Sequence, residues 1–215
     1  RPDVYATHGH YLDAHLTMPR LEAIAAHAMV RLTGRNGGRR SAADYEASLS
    51  PLYAFYAGLA QGAAPAALRR GGSASRAVWT RMNEDGHRLE RLLLGRVAIP
   101  GGVAALNGLG LGPFKAEVSA PELRRAGLAA MGTVVDGLQV EAAHVLYGHT
   151  HRAGPLPGDD LDEWRSRSGT RLWNTGNWYS ELALTGSAPG RNPYSAGYVM
   201  RLSETGDPQL ENVLP

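Results

Sequence analysis

Short apolar, β-prone runs that stop abruptly at polar loops recur along this chain, and a long stretch of helical periodicity separates the first two. Val4-Tyr5-Ala6-Thr7 is followed at once by His8-Gly9-His10. Ala143-His144-Val145-Leu146-Tyr147 runs into Gly148-His149-Thr150-His151, and Arg171-Leu172-Trp173 runs into Asn174-Thr175-Gly176-Asn177. A fourth run is Gly197-Tyr198-Val199-Met200-Arg201-Leu202. Runs of this length, rich in β-branched and aromatic residues and bounded by Gly and polar clusters, predict strands. Three of the four end in loops of Gly, His and Asn, and α/β enzymes carry their reactive groups just beyond strand ends.

The stretch after the first strand has a different texture. From Pro19 to Arg35, apolar residues fall at Leu21, Ile24, Ala25, Ala28, Met29 and Leu32, a stripe that predicts a helix buried on that face. Gly34-Arg35-Asn36-Gly37-Gly38 stops it. Ser41-Ala42-Ala43-Asp44 reads as the cap of a second helix reaching about Gly62. Ser75 to Leu94 predicts a third, and Pro100-Gly101-Gly102 is expected to close the block. Pro121 to Val140 predicts a further helix leading into the Val145 strand. The expectation is an α/β fold in which residues 16–100 form a helical insertion or cap, with Tyr45, Tyr53, Phe55, Tyr56 and Trp79 in its core.

Composition narrows the chemistry. The 215 residues include no Cys, which removes disulfides, thiolate metal sites and a cysteine nucleophile, and leaves His, Asp, Glu and Asn as candidate ligands. A formal net charge of +2 gives no electrostatic case for nucleic acid, although Arg outnumbers Lys. No apolar run approaches the roughly 18 residues that span a bilayer, and no signal peptide is present, so the expected location is cytoplasmic. The chain opens Arg1-Pro2-Asp3 without Met, so the natural start is expected upstream.

Gly148-His149-Thr150-His151 is the sharpest chemical signal. A strand followed by Gly and two His two residues apart can turn both imidazoles into one cleft, and neutral imidazole is a good ligand for Zn, Mn and Fe. The plain alternative is a surface pair of His in a turn. His8 and His10 repeat the arrangement at another strand end, in a chain with eight His in all. A second metal pattern also competes. His8-Gly9-His10-Tyr11-Leu12-Asp13-Ala14-His15 approaches the His-x-His-x-Asp-His signature of the metallo-β-lactamase fold, but inserted residues before and after Asp13 re-aim the side chains that follow.

Strand–His8-Gly9-His10, strand–Gly148-His149-Thr150-His151 and then Asn174-Thr175-Gly176-Asn177-Trp178 together resemble the last part of a calcineurin-like metallophosphoesterase. That family's order is Asp-x-His, Gly-Asp-x-x-Asp, Gly-Asn-His-Asp/Glu, His-Gly and Gly-His-x-His. The resemblance covers residues 4–15 and 143–202 and implies a β-sandwich flanked by helices (αββα). It implies two divalent metal ions, of Mn, Fe or Zn. His8 and His149 would lie on the second metal and His151 on the first, and Asn174 to Trp178 would form a supporting loop with Asn174 and Asn177. His10 and Asp13 match no settled role in the family; they are candidates to orient ligands or touch phosphate, with loop packing an equal alternative.

The implied activity is hydrolysis of a phosphate monoester or diester by a metal-activated hydroxide at a dinuclear site. The earlier blocks of the pattern are missing, and Asp13-Ala14-His15 and Asp85-Gly86-His87 follow no predicted strand, so this chain would carry only part of the site. The helical insertion resembles in placement the lobe of the UDP-diacylglucosamine hydrolases of the same superfamily. The expected partner is therefore a phosphate-ester small molecule or a phospholipid-type conjugate. The other reading is a non-catalytic binding or scaffold protein on a degenerate form of the fold.

Overall fold

The computed structural model describes residues 1–33, 41–61, 99–117, 119–178 and 192–214, with the backbone alone for Leu21 and residues 55–61. The architecture is mixed α/β, with a small parallel sheet, a small antiparallel sheet and no closed barrel among the described residues. The chain divides into two compact units, one made of residues 1–12 and 123–215 and the other of residues 13–122.

The first unit holds the sheets. Strands β1 (Val4–Ala6), β2 (His144–Tyr147) and β3 (Arg171–Asn174) lie side by side in that order, all parallel. The register pairs Val4 with His144 and His144 with Arg171. All four residues of β2 are buried, as expected of a central parallel strand covered on both faces. Helix α4 (Ala120–Leu138) contributes Ala126, Ala130, Met131, Val134 and Val135 to the core alongside Val145 and Leu172. Strands β4 (Tyr198–Arg201) and β5 (Gln209–Asn212) form an antiparallel pair. The four predicted strands are all present, to within one or two residues at their ends. β5 was not anticipated, because Gln209-Leu210-Glu211-Asn212 carries almost no apolar signal and becomes a strand through its ladder to β4.

The second unit contains helices α1 (Leu21–Leu32), α2 (Ala42–Gln61) and α3 (Ile99–Gly108). α2 starts where the sequence predicts. The Ser41 hydroxyl accepts from the Asp44 N–H, and the Asp44 carboxylate accepts from the Ser41 N–H and hydroxyl, a reciprocal cap. Tyr45, Ser48 and Leu49 are its buried face.

Two expectations are corrected here. α1 forms, but its buried residues among the described side chains are Ala23, Ala26 and Val30, while Leu32 at its end is 80% exposed. The small side chains face inward where α1 packs on α2, so helical period was legible and the choice of face was not. Pro100-Gly101-Gly102 does not close a helix; it lies in the first turn of α3. Proline is tolerated there because its missing N–H would have no partner within the helix. The predicted helix Ser75–Leu94 and Trp79 lie outside the described residues, as do the side chains of Phe55 and Tyr56.

Candidate metal centre

Parallel pairing brings the carboxyl ends of β1, β2 and β3 to one edge of the sheet, and the three Gly-, His- and Asn-bearing loops therefore leave from the same side. Backbone bonds carry the ladder past the strands: the Thr7 N–H donates to Leu146 O (3.0 Å), the Gly148 N–H to His8 O (3.1 Å) and the Thr175 N–H to Tyr147 O (2.8 Å). His8 and His149, 141 positions apart in the numbering, face each other edge to face with ring centres 5.2 Å apart. His10 joins them at 5.4 Å from His8 and packs against Tyr11 at 4.4 Å.

The loop backbones are specialised. Gly9 has φ +100°, and a Cβ there would stand 3.1 Å from Tyr147 Cδ2. Gly176 has φ +71°, and a Cβ would press on Ala153 at 3.0 Å. These positions need glycine for both conformation and space. His149 (φ 69°) and His151 (φ 62°) are left-handed without being glycine. The Thr150 N–H donates to Gly148 O at 2.8 Å, closing a three-residue turn centred on His149 in the strained sense of the γ-turn. Strain of this kind costs on the order of 1–3 kcal/mol per residue and gathers at functional sites.

Asn174 holds that turn. Its side chain ends β3, is 1% exposed, and donates from Nδ2 to Thr150 Oγ1 (2.6 Å) and Gly148 O (3.3 Å). Its Oδ1 accepts from the Gly176 N–H at 2.9 Å. One buried amide thus ties two of the three loops together. Asn177 donates from Nδ2 to His151 O (3.0 Å) and Tyr194 O (3.3 Å), linking the end of the Gly-His-Thr-His turn to residues 192–197.

Beyond His151 the chain is braced by Arg152, which binds Asp159 through two hydrogen bonds of 2.6 and 3.1 Å and lies over the Trp164 ring. Burial works to raise the Asp159 carboxyl, but the bonds from Arg152 and from the Leu156 N–H outweigh it, and the net shift is downward.

The structure therefore brings His8 within ring contact of His10 and His149 and ties Asn174 and Asn177 to the Gly148–His151 segment. His151 is exposed on the same turn. Asp13 is 3% exposed in the short 3-10 helix His10–Ala14 and belongs to the helical unit. His15 bonds Tyr45 OH at 2.7 Å within that unit, a structural role that leaves the β-lactamase-like pattern without its last member. The brace of Arg152 and Asp159 had no signal in the sequence, because a salt bridge across a loop leaves no periodicity.

Two imidazoles bound at about 2.1 Å to one tetrahedral ion have ring centres roughly 5 Å apart. The 5.2 Å spacing of His8 and His149 equals that distance and is also that of an ordinary edge-to-face ring contact. Among the described residues no three His, Asp or Glu side chains are grouped to hold a metal ion. No helix of the described residues is long and apolar enough to cross a membrane. No protein-family model matches the chain, and neither the curated proteins nor the solved structures compared with it match.

Proposed function

We propose that this chain carries part of the metal site of a phosphoesterase that hydrolyses a phosphate monoester or diester. The observation that carries the reading is the pair His8 and His149, brought to 5.2 Å across the carboxyl edge of a parallel sheet with His149 held in a strained turn. His8 and His149 would hold one divalent metal and His151 would serve the other, Mn, Fe or Zn by donor type. When bound, two such ions acidify water and offset the charge that builds on a phosphoryl group.

The chain's own contribution is orientation. Gly9 lets the first loop approach Tyr147, Asn174 fixes the Gly148–Thr150 turn, and Asn177 anchors His151. The reading takes the parallel sheet and the separate antiparallel pair, which belong to one unit with most of α4, as parts of a helix-flanked sandwich. Neutral imidazoles cannot offset the charge of two divalent ions, so carboxylates beyond the three His complete the proposed donor set.

The test is titration of the chain with Mn2+ and Zn2+, followed by turnover of a nitrophenyl phosphodiester with and without metal. We expect saturable metal binding that His149→Ala removes while circular dichroism stays unchanged. Equal metal affinity in wild type and His149→Ala would sink the assignment and leave the scaffold reading in its place.

A further inference from the structure

We propose that a groove between α4 and the segment 163–167, sharing no residue with the imidazole centre, binds a small organic anion: a phosphate or carboxylate on an apolar body. The groove lies wholly within the sheet-bearing unit and encloses roughly 330 Å³, within the range of small-molecule sites. Leu128, Ala129 and Gly132, one face of α4 at helical spacing, give it an apolar wall. A Cβ at Gly132 would make only ordinary contact, 3.5 Å from Ser166 Cα, so the glycine leaves room there and is not forced by a close backbone approach.

Charge at the rim sets the ligand's sign. Both carboxylates of the groove already have partners. Glu163 is bound by Arg124 at 2.7 Å and Arg125 at 3.1 Å, and Asp136 accepts the Ser168 hydroxyl at 2.8 Å. Arg165 and Arg167 are exposed and pair with no carboxylate among the described residues, and Arg165 makes only a long bond of 3.4 Å to Gly169 O. The tight turn that carries them is held by Ser166 N–H to Thr170 O (2.9 Å) and Leu172 N–H to Trp164 O (2.8 Å), so both guanidinium groups spring from a fixed backbone. Guanidinium presents a planar fork of donors that matches a carboxylate or phosphate. Two such forks over an apolar wall select an anion with an apolar body.

The experiment is calorimetric titration of the metal-free chain with phenylphosphonate and, separately, benzoate. Binding of either probe, weakened about tenfold or more by Arg165→Ala with Arg167→Ala and by Ala129→Phe, and unchanged by His8→Ala with His149→Ala, supports the groove. The two arms decide between phosphate and carboxylate. Because Arg165, Arg167 and Ala129 are all exposed, the variants are expected to fold, and unchanged circular dichroism checks it. The proposal is overturned if neither probe binds saturably, if the arginine variants bind as well as wild type, or if only the histidine variants lose binding.

Discussion

The two ends of one parallel sheet use histidine in opposite ways. At the carboxyl edge His8 is exposed, His149 is half-buried on a left-handed turn, and their rings face each other. At the amino edge His144, the first residue of β2, is 4% exposed. Its Nδ1 accepts the Trp173 indole N–H at 3.2 Å and its Nε2 lies 3.7 Å from Asp207 Oδ1. Around it Asp207 pairs with Arg171, and Arg1 pairs with Asp3 and donates to Ser203 O and Gly206 O, closing the β4–β5 turn onto the edge. Both His groups stand at strand ends. At the amino edge the imidazole bonds a neighbouring indole from regular strand backbone, whereas at the carboxyl edge two imidazole rings meet edge to face, one of them, His149, on left-handed backbone. A strand-end His is therefore not a site by position. Backbone conformation and the neighbouring ring separate the two positions.

The largest test of that contrast is metal affinity. Replacing His8 or His149 by Ala is expected to weaken Zn2+ or Mn2+ binding by more than the roughly 10–100-fold typical of losing an outer supporting group, while His144→Ala leaves it unchanged. Calorimetric titration of the three variants reads this directly. Equal losses in all three would erase the distinction between the edges.

Next in size is Asn174→Ala. It strips a buried amide from Thr150, Gly148 and Gly176 and is expected to cost about 1–3 kcal/mol in urea unfolding. Metal affinity should fall roughly 10–100-fold although no proposed ligand is touched. A normal affinity in a destabilised Asn174→Ala would mean that the loops keep their geometry without it.

A smaller effect of opposite sign is expected for His149→Gly. Glycine adopts φ 69° freely, so relief of strain should raise stability by about 1 kcal/mol while removing an imidazole. Gly9→Ala should do the reverse, because φ is +100° and Tyr147 Cδ2 stands 3.1 Å from the new Cβ. Urea midpoints of the pair give the comparison, and a destabilised His149→Gly would show that the turn is not strained.

The smallest effect is the pH response of the amino edge. Burial, aided by the Arg171 charge, holds the His144 pKa below its ordinary 6.5. The unfolded chain therefore binds more protons in the window between that depressed value and 6.5, and this contribution to stability is lost as pH falls through it. The Asp3 carboxyl, held down to about 2 by its bond from Arg1, loses its contribution only in the lower window between 3.8 and 2. Melting temperature against pH for wild type and His144→Gln should diverge most above pH 6.5 and converge below it. Parallel curves would remove His144 as the source.

Local pattern determined much of this protein. The strands at Val4, Val145, Leu172 and Tyr198, the Ser41–Asp44 cap and the period of α1 all follow from side-chain spacing and short-range hydrogen bonding, which act within a few residues. The histidine-bearing loops were legible for the same reason, since each directly follows a strand.

Tertiary structure decided the rest. The parallel order β1-β2-β3 brings His8 to His149, separated along the chain by the whole helical unit, and no local pattern encodes which strands become neighbours. The inward face of α1 depends on what α2 presents to it, so Ala23, Ala26 and Val30 are buried and Leu32 is not. The strand at Gln209 exists through its ladder to β4. The amide of Asn174 reads in sequence as one more loop residue. Its role comes from burial, which leaves its donors and acceptor no water to bond and turns it toward the two loops whose backbones it holds.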